Sequence, residues 1–284
     1  MAMAFAIDGF DLDRFVASTL AEDLGPDGID VTSQSVIPAD ARFTGVMDAR
    51  HAMVVAGLPI AEAFFRALDP DCEVRLLVEE GAQVSGGTDI LHVSGKARAL
   101  LTAERSALNT VQHLSGIASL TRTYVDAMAG TGAVLLDTRK TIPGLRLLEK
   151  YATRQGGAQN HRMGLWDAAM IKDNHVAVAG DIGEAVRRAV AAGIAQIIVE
   201  VDHVEQIEPA LAAGATHLLL DNMSPATLRG AVTLVGGRVP CEASGGVTLE
   251  TIRAIAETGV DYVSVGRLTQ SAPAADVGLD FTAV

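Results

Sequence analysis

The run QIIVEVDHVEQIEPALAAGATHLLLD, residues 196–221, decides the architecture. Its two apolar ends are strand-length, and each finishes on acids: Glu200 with Asp202, then Asp221. The helical stretch between them is closed by Gly214. Strand, helix and strand in this order read as one β/α/β unit. The same texture runs outward in both directions. Upstream, AVLLD ends at Asp137 and AAMIK at Lys172; downstream, CEASGG reaches Ser244-Gly245-Gly246 and DYVSVG reaches Gly266. The helices between have legible ends. Asp181 and Glu184 form a capping pair with Gly193 as terminator. Ser224 stands as an N-cap before Pro225, and Gly259 closes another helix. Buried strands that end repeatedly in charges or glycines are the signature of a parallel β/α barrel with its ligand at the C-terminal strand ends. A doubly wound open sheet is the competitor, but it would gather polar residues at one switch point. The barrel fits better, and it is incomplete, with fewer than eight strands, because little chain is left for it.

The first part of the chain has a different rhythm. Leu12, Phe15, Val16, Leu20 and Leu24 lie at helical spacing, and Gly25-Pro26 stops them. Strand-like runs come next at Phe43 to Met47, Met53 to Ala56 and Glu73 to Val78, with a helical pattern at Ile60 to Leu68 before the third. Residues 81–95, GAQVSGGTDILHVSG, alternate apolar positions with glycine-rich turns and read as hairpins. From Ala97 a helix carries Leu100, Leu101, Leu108, Val111, Leu114, Ile117, Leu120, Tyr124 and Val125, with Ser115-Gly116 marking a bend or break. The expected class is α/β: an N-terminal α+β open-sandwich domain, residues 1–115, and a C-terminal parallel β/α barrel, residues 116–284. The N-terminal segment or the C-terminal tail is free to pack across that boundary.

Composition narrows the function. Hydrophobic residues make up 49% of the 284 positions but aromatics only 4%, a profile of helices on parallel strands rather than an aromatic-rich sandwich. The formal net charge of -13 argues against nucleic acid or an anionic membrane as partner. Cys72 and Cys241 have no metal-type or paired spacing, which suits a reducing compartment. The start MAMAFAIDGFDLDRF lacks a basic n-region, and no apolar run reaches the length of a membrane span. A cytoplasmic protein is expected.

Against that acidic background, DTRKTIPGLRLLEKYATRQGGAQNHRMGLWDAAMIKDNH, residues 137–175, is locally basic and holds three of the four lysines. Cations gathered in one place by an acidic protein point to an anionic ligand. Arg146, Glu149, Lys150 and Arg154 are spaced as a solvated helix face with helical ion pairs. Arg139, Lys140, Arg162 and Lys172 have no such explanation. Guanidinium forks and mobile ammonium groups suit carboxylates and phosphates, Glu200 and Asp221 suit sugar hydroxyls or Mg²⁺, and the Ser244-Gly245-Gly246 and Gly266 turns suit a phosphate on backbone N–H groups. Each has a plainer alternative: a carboxylate can equally cap a helix, and a glycine pair can simply make a left-handed turn. His51, His92, His113, His203 and His217 are scattered and read as structural or solvated. A barrel lysine forming a Schiff base would make a lyase, and a non-catalytic anion binder is a third class.

These motifs resemble the quinolinate phosphoribosyltransferase family. The TRK, NHR and IKDNH motifs of the basic run carry the resemblance. AEDLGPDGIDVT (21–32), LLTAERSALNTVQHLSGIAS (100–119), EVD (200–202), LLLDN (218–222), EASGG (242–246) and VGRLTQSAP (265–273) extend it over nearly the whole chain. Two departures are visible: Ala158-Gln159 where many members have a further glycine, and Gln270 where many have histidine. The resemblance implies transfer of phosphoribosyl from phosphoribosyl pyrophosphate to quinolinate with decarboxylation, giving nicotinate mononucleotide for NAD biosynthesis, with Mg²⁺. It implies that Arg139, His161 and Arg162, helped by Lys140, hold the quinolinate carboxylates, and that Arg105 completes the pocket from the other subunit of a homodimer. Association beyond a dimer is left open. Lys172, Glu200 and Asp221 would position the phosphoribosyl pyrophosphate, its ribose and its metal. Ser244, Gly245, Gly246 and Gly266 would cradle the 5′-phosphate. Thr138 beside Arg139, and Val265 and Arg267 on either side of Gly266, join the substrate contacts by motif. Lys140, Lys172, Glu200 and Asp221 are the catalytic set; metal ligands are not assigned.

Overall fold

The computed structural model describes residues 7–282, and the chain divides into two compact units that are not consecutive in sequence. One comprises the chain through Leu120, Leu147–Gly156 and the residues from Ala272 onward. The other comprises Thr121–Arg146 and Gly157–Ser271.

In the first unit the leading helix α1 (Leu12–Leu24) starts where the Asp11 carboxylate accepts the Arg14 N–H at 2.9 Å, and it ends at Gly25 with φ +64°. A short helix α2 (Val31–Val36) comes after it, which the apolar spacing did not announce. It exists through Asp30, whose carboxylate accepts the Thr32 and Ser33 N–H groups at 3.0 and 2.9 Å. Next come β1 (Arg42–Ala49), β2 (Met53–Val54), α3 (Leu58–Leu68), β3 (Glu73–Leu76), β4 (Gln83–Val84) and β5 (Asp89–Lys96). The long helix α4 spans Ala97–Ala127. Residues 81–95 do not form a hairpin with themselves. Instead β4 pairs with β2, while β5 lies antiparallel between β1 and β3. The sheet order is completed by the last strand, β12 (Val277–Thr282), which pairs along β1 from Ala49↔Val277 to Thr44↔Thr282. Phe43 and Phe281 meet edge to face across that seam, with ring centroids 4.1 Å apart. Leu58, Ile60, Phe64 and Phe65 of α3 and Leu100, Val111, Leu114 and Ile117 of α4 are fully or almost fully buried. Their removal from water is the main stabilising term here.

Ser115-Gly116 does not break α4, which runs through both residues. Gly116 is needed for close approach: a Cβ there would lie 2.1 Å from the Pro273 carbonyl oxygen. Ser115 is buried, and its hydroxyl accepts the Ala56 N–H at 2.9 Å. The helix α5 (Arg146–Gln155) also departs from expectation. Only Arg154 of its four charged residues is exposed; Glu149 and Lys150 are fully buried, and Arg146 is half-buried. The solvated-face reading fails because long-range partners take the charges. Glu149 lies 3.0 Å from His113 Nε2 on α4, and Tyr151, two residues on, hydrogen-bonds Glu80, which also accepts the Gly57 and Leu58 N–H groups at the start of α3.

The second unit alternates strand and helix: β6 (Val134–Leu136), β7 (Ala169–Ile171), α6 (Asp173–Ala179), α7 (Ile182–Ala191), β8 (Ile197–Val201), a short 3₁₀ turn (Val204–Gln206) and α8 (Ile207–Ala213). Beyond these lie β9 (His217–Asp221), α9 (Pro225–Val235), β10 (Cys241–Ser244), α10 (Leu249–Ala256), β11 (Tyr262–Ser264) and α11 (Arg267–Gln270). The six strands are parallel in the order β6-β11-β10-β9-β8-β7. Consecutive strands are neighbours round the ring, and the last returns to the first, as in a β/α barrel. The ring is incomplete, because β6 and β7 do not pair; Gln159 pairs alone beside β6 at Leu136. Ala168, Ile198 and Leu219, with Met170 against them, form part of its core.

The helix ends follow the sequence signals closely. Asp181 caps α7 by accepting the Glu184 N–H at 2.8 Å, although the Glu184 side chain turns to Arg187 and Arg188 instead of closing a capping box. Ser224 caps α9 with Pro225 at its first turn, and Gly214 ends α8 in the left-handed conformation. Among the described residues no helix is long and apolar enough to cross a membrane.

Gly116→Ala tests the close approach in α4. Alanine in a helix interior ordinarily gains about 1 kcal/mol over glycine. Here the added methyl meets a backbone oxygen that cannot swing aside, so a loss of about 1–3 kcal/mol is expected instead. The shift of the urea unfolding midpoint at constant slope measures it.

Candidate active site

All six strands of the second unit carry predicted groups at or near their C-terminal ends. At the first, Asp137 is fully buried just past β6, and it ties two loops together. Its carboxylate accepts the His161 N–H at 2.8 Å and an Asn160 amide hydrogen at 2.6 Å. Backbone pairing reinforces this, with Gln159 N–H on the Leu135 carbonyl at 2.9 Å and Asp137 N–H on the Gln159 carbonyl at 3.2 Å. The TRK and NHR motifs are therefore clasped together although more than twenty positions separate them. Neither Ala158 nor Gln159 has a positive φ, so the glycine of many relatives is not needed for this backbone path.

Arg139 is half-buried, and its Nε is buried without a hydrogen-bond partner. Arg162 donates from Nη1 to the Ala168 carbonyl at 3.0 Å. Burial, and then the neighbouring positive charge of Arg139, push the Arg162 pKa down, with Asp167 opposing. Asp167 is itself committed, accepting the Met163 N–H at 2.5 Å and the Gly164 N–H at 3.4 Å. Arg146 holds the turn beneath Arg139, donating to Thr141 at 3.1 Å and to the Met163 carbonyl at 3.2 Å.

Lys140 is exposed and runs across Gly266: a Cβ at Gly266 would lie 2.7 Å from Lys140 Cδ and 3.5 Å from the Thr138 hydroxyl. The Thr138 hydroxyl accepts the Lys140 N–H at 3.0 Å, and Thr269 donates to the Lys140 carbonyl at 2.7 Å. Thus Thr138, Lys140, Gly266 and the start of α11 come together. Val265 is buried beneath them, with its N–H on the Leu136 carbonyl at 3.0 Å, while Arg267 and Gln270 are exposed.

At the next strand end Lys172 Nζ makes an ion pair with Glu200. Glu200 sits within β8 opposite Leu219, and Asp221 ends β9 opposite Ser244. The turns after β9 and β10 interlock. Asn222 has φ +53° and donates its N–H to the Ser244 carbonyl at 2.9 Å. Gly245 has φ +94° and touches Asn222 so closely that a Cβ would be 2.2 Å from Asn222 Oδ1. Gly246 has φ +59° and open space in front of it. Both glycines are thus required by backbone conformation.

Arg105 belongs to the first unit, where it is exposed on α4 while Leu108 is buried. Glu104 beside it has its carboxyl pushed up by burial, with Arg105 pulling the other way. Among the described residues no three His, Cys, Asp and Glu side chains are grouped as a metal cage.

Two buried residues with a place in the site escaped the sequence. Asp137 was visible only as a strand end. Glu242, inside β10, is fully buried against His161 Nε2 at 3.2 Å and His217 Nε2 at 3.0 Å. The signal that could have found it is a charge in the middle of an apolar strand.

An open parallel β/α ring that gathers arginines, lysines, carboxylates and glycine turns at successive strand ends defines a transferase-type site for anionic substrates. Models of the quinolinate phosphoribosyl transferase N-terminal and C-terminal domains match residues 30–115 and 117–280. The chain is 46% identical over 260 residues to the nicotinate-nucleotide pyrophosphorylase (carboxylating) of Mycobacterium leprae, covering 89% of this chain and 91% of that one. A probable nicotinate-nucleotide pyrophosphorylase (carboxylating) of Bacillus subtilis is 42% identical over 263 residues, at 92% and 90% coverage. The crystal structure of NadC from Streptococcus pyogenes superposes with a TM-score of 0.92 at 37% identity, covering 98% of this chain and all of that one. The chain belongs to the quinolinate phosphoribosyltransferase family.

Proposed function

We infer that this chain transfers phosphoribosyl from phosphoribosyl pyrophosphate to quinolinate, releasing pyrophosphate and CO₂ and forming nicotinate mononucleotide for NAD biosynthesis. The observation that carries the reading is the pair Arg139 and Arg162. Both are half-buried, burial and then the positive charge of Arg139 lower the Arg162 pKa, and the Arg139 Nε is buried without a partner. Two adjacent guanidinium groups suit a ligand with two adjacent carboxylates. Arg139 and Arg162 grip the quinolinate carboxylates, Lys140 adds charge at the rim, and His161 forms the wall beside them. This clamp holds the ring nitrogen within attack distance of the ribose.

As pyrophosphate leaves, negative charge grows on it and positive charge on the ribose. Lys172 meets the first; Glu200 and Asp221 face the second. The Ser244-Gly245-Gly246 turn and the Gly266 turn, with Thr138, Val265 and Arg267 around the latter, take the 5′-phosphate. Loss of the carboxylate next to the quaternary nitrogen leaves an ylide, to which a nearby lysine delivers the proton. Glu200 and Asp221, two oxygen donors at the ends of neighbouring strands, fit Mg²⁺ arriving with a diphosphate. When bound, that ion supplies charge neutralisation at the leaving group. We place the protein in the cytoplasm as a homodimer in which Arg105 of one subunit completes the site of the other, with residues 1–115 as the N-terminal domain and 116–284 as the barrel domain, the C-terminal strand β12 packing back across that boundary onto β1.

The purified protein should form nicotinate mononucleotide from quinolinate and phosphoribosyl pyrophosphate with Mg²⁺, and nicotinic acid should be a poor substitute because it lacks the second carboxylate. Turnover of nicotinic acid with none of quinolinate would overturn the reading. Because the forks are planar, Arg139→Lys and Arg162→Lys should be nearly as damaging as the alanine variants, in quinolinate KM and not in phosphoribosyl pyrophosphate KM. Wild-type kinetics in either lysine variant would remove that arginine from the clamp. The shared site is tested by refolding inactive Arg105→Ala and Lys172→Ala chains together. About half the dimers are mixed, and in each of these one site carries both lesions and the other neither, so roughly a quarter of wild-type activity should return. With mixed dimers shown to be present, no recovery would place both residues in one chain's site.

A further inference from the structure

Glu242 has no part in the transfer chemistry, yet its placement is costly. It is the second residue of β10, in register between Leu219 of β9 and Tyr262 of β11, and its side chain is fully buried. A carboxylate in such a place persists only if it is paired and hydrogen-bonded. Two imidazoles converge on one of its oxygens. His161 Nε2 hydrogen-bonds Oε2 at 3.2 Å. His217 Nε2 lies 3.0 Å from it without hydrogen-bond geometry, while Oε1 has no hydrogen-bond partner among the described residues. His217 stands at the start of β9 and stacks on Tyr262, with ring centroids 5.7 Å apart and planes 19° apart. Burial alone would push the Glu242 carboxyl up, but His161 and His217, with Ser264, bring it to about 2, so it is an anion at working pH.

The His161 ring is engaged at both nitrogens. Its Nδ1 lies 2.7 Å from the Arg162 backbone nitrogen, and an amide N–H only donates, so Nδ1 accepts. The neutral ring therefore carries its hydrogen on Nε2, aimed at Glu242. A ring so held offers no nitrogen to a substrate carboxylate without breaking its bond to Glu242 or to the Arg162 backbone. We propose that Glu242 is a positioning residue for the transfer, which fixes the His161 ring and, through it, the backbone from which the Arg162 guanidinium projects. His161 is then a strut between a buried anion and the carboxylate clamp. The proposal rests on the reading that Arg139 and Arg162 bind quinolinate, and it narrows His161 from a direct carboxylate ligand to a support of one.

Two measurements test it. In the wild-type protein, ¹⁵N NMR of the histidine rings should show His161 protonated at Nε2 and unprotonated at Nδ1, and saturating quinolinate should leave that tautomer unchanged. Conversion to an Nδ1-protonated ring on binding would mean direct contact and would overturn the proposal. This measurement needs no variant. The second uses Glu242→Gln, near-isosteric but uncharged and with its own donor. It should raise quinolinate KM by roughly 10-fold or more while leaving phosphoribosyl pyrophosphate KM within about twofold. In a His161→Ala background the same substitution should have no further effect on quinolinate KM. Unchanged quinolinate KM, an equal rise in both KM values, or effects that multiply with those of His161→Ala would each defeat the assignment. Failure of the wild-type protein to turn over quinolinate would defeat the functional reading instead, with the tautomer still measurable.

Discussion

On the proposed assignment, the site depends on keeping two half-buried guanidinium groups, Arg139 and Arg162, available without neutralising them. Like charges repel, and partial burial removes the water that would screen them. Both effects appear in the lowered Arg162 pKa. A loop carrying such a charge has to be tied down by something other than ion pairs to the charge itself, or the ligand would gain nothing by arriving. The surrounding acids meet that requirement. Asp137 is spent on the His161 N–H and the Asn160 amide, Asp167 on the Met163 and Gly164 N–H groups, and Glu242 on two imidazoles. These contacts hold backbone and rings in place, and on the proposed assignment the guanidinium charge is left for a substrate. This is electrostatic preorganisation in its structural form: donors set in advance of the charge they serve.

The other half of the ring obeys the opposite rule. Lys172 and Glu200 pair directly, and Asp221 bonds to the Asn222 amide at 2.5 Å. A lysine already paired with a carboxylate can change partners when a diphosphate enters, since its ammonium is a mobile point charge on a flexible stem. On the proposed assignment, the cation geometry is thus held where two carboxylates would be matched, and adjustable where the leaving group would depart. The glycines supply what side chains cannot. Gly245 lets the β9 and β10 turns interlock, and Gly266 lets Lys140 lie across the backbone.

Much of this was legible in the sequence, and the reasons are physical. The period of apolar strands ending in polar groups comes from burial on both faces, so β6 to β11 and the incomplete ring could be read directly. The cations at Arg139, Lys140, Arg162 and Lys172 stood out because an acidic chain has no other use for them in one segment. Where the reading failed, partners distant in sequence decided the outcome. Charges on α5 at helical spacing look the same whether water or a fold receives them; His113 takes Glu149 indoors, and Glu80 binds the neighbouring Tyr151. Gly116 looked like a break, yet in α4 it marks the approach of Pro273, more than 150 positions away. The glycine-rich run at residues 81–95 predicted local pairing, but β4 and β5 found partners in β2, β1 and β3. Glu242 was hidden because a buried carboxylate inside a strand has no pattern of its own.

A chain with a formal net charge of -13 that binds a dicarboxylate and a pyrophosphate ester carries the same sign of charge as its own substrates. Screening resolves the conflict. At physiological ionic strength the Debye length is about 8 Å, so acids spread over the surface act on a substrate only near contact. The half-buried arginines act at hydrogen-bond distance, where ions screen them little. The acidic surface therefore sets solubility and disfavours polyanionic macromolecules, while on the proposed assignment capture of small anions falls to Arg139, Arg162, Lys140 and Lys172 within the ring. On this account the affinity for quinolinate comes from short-range fit and not from long-range steering. That is why the buried hydrogen bonds that hold the clamp in place matter more to function than the overall charge.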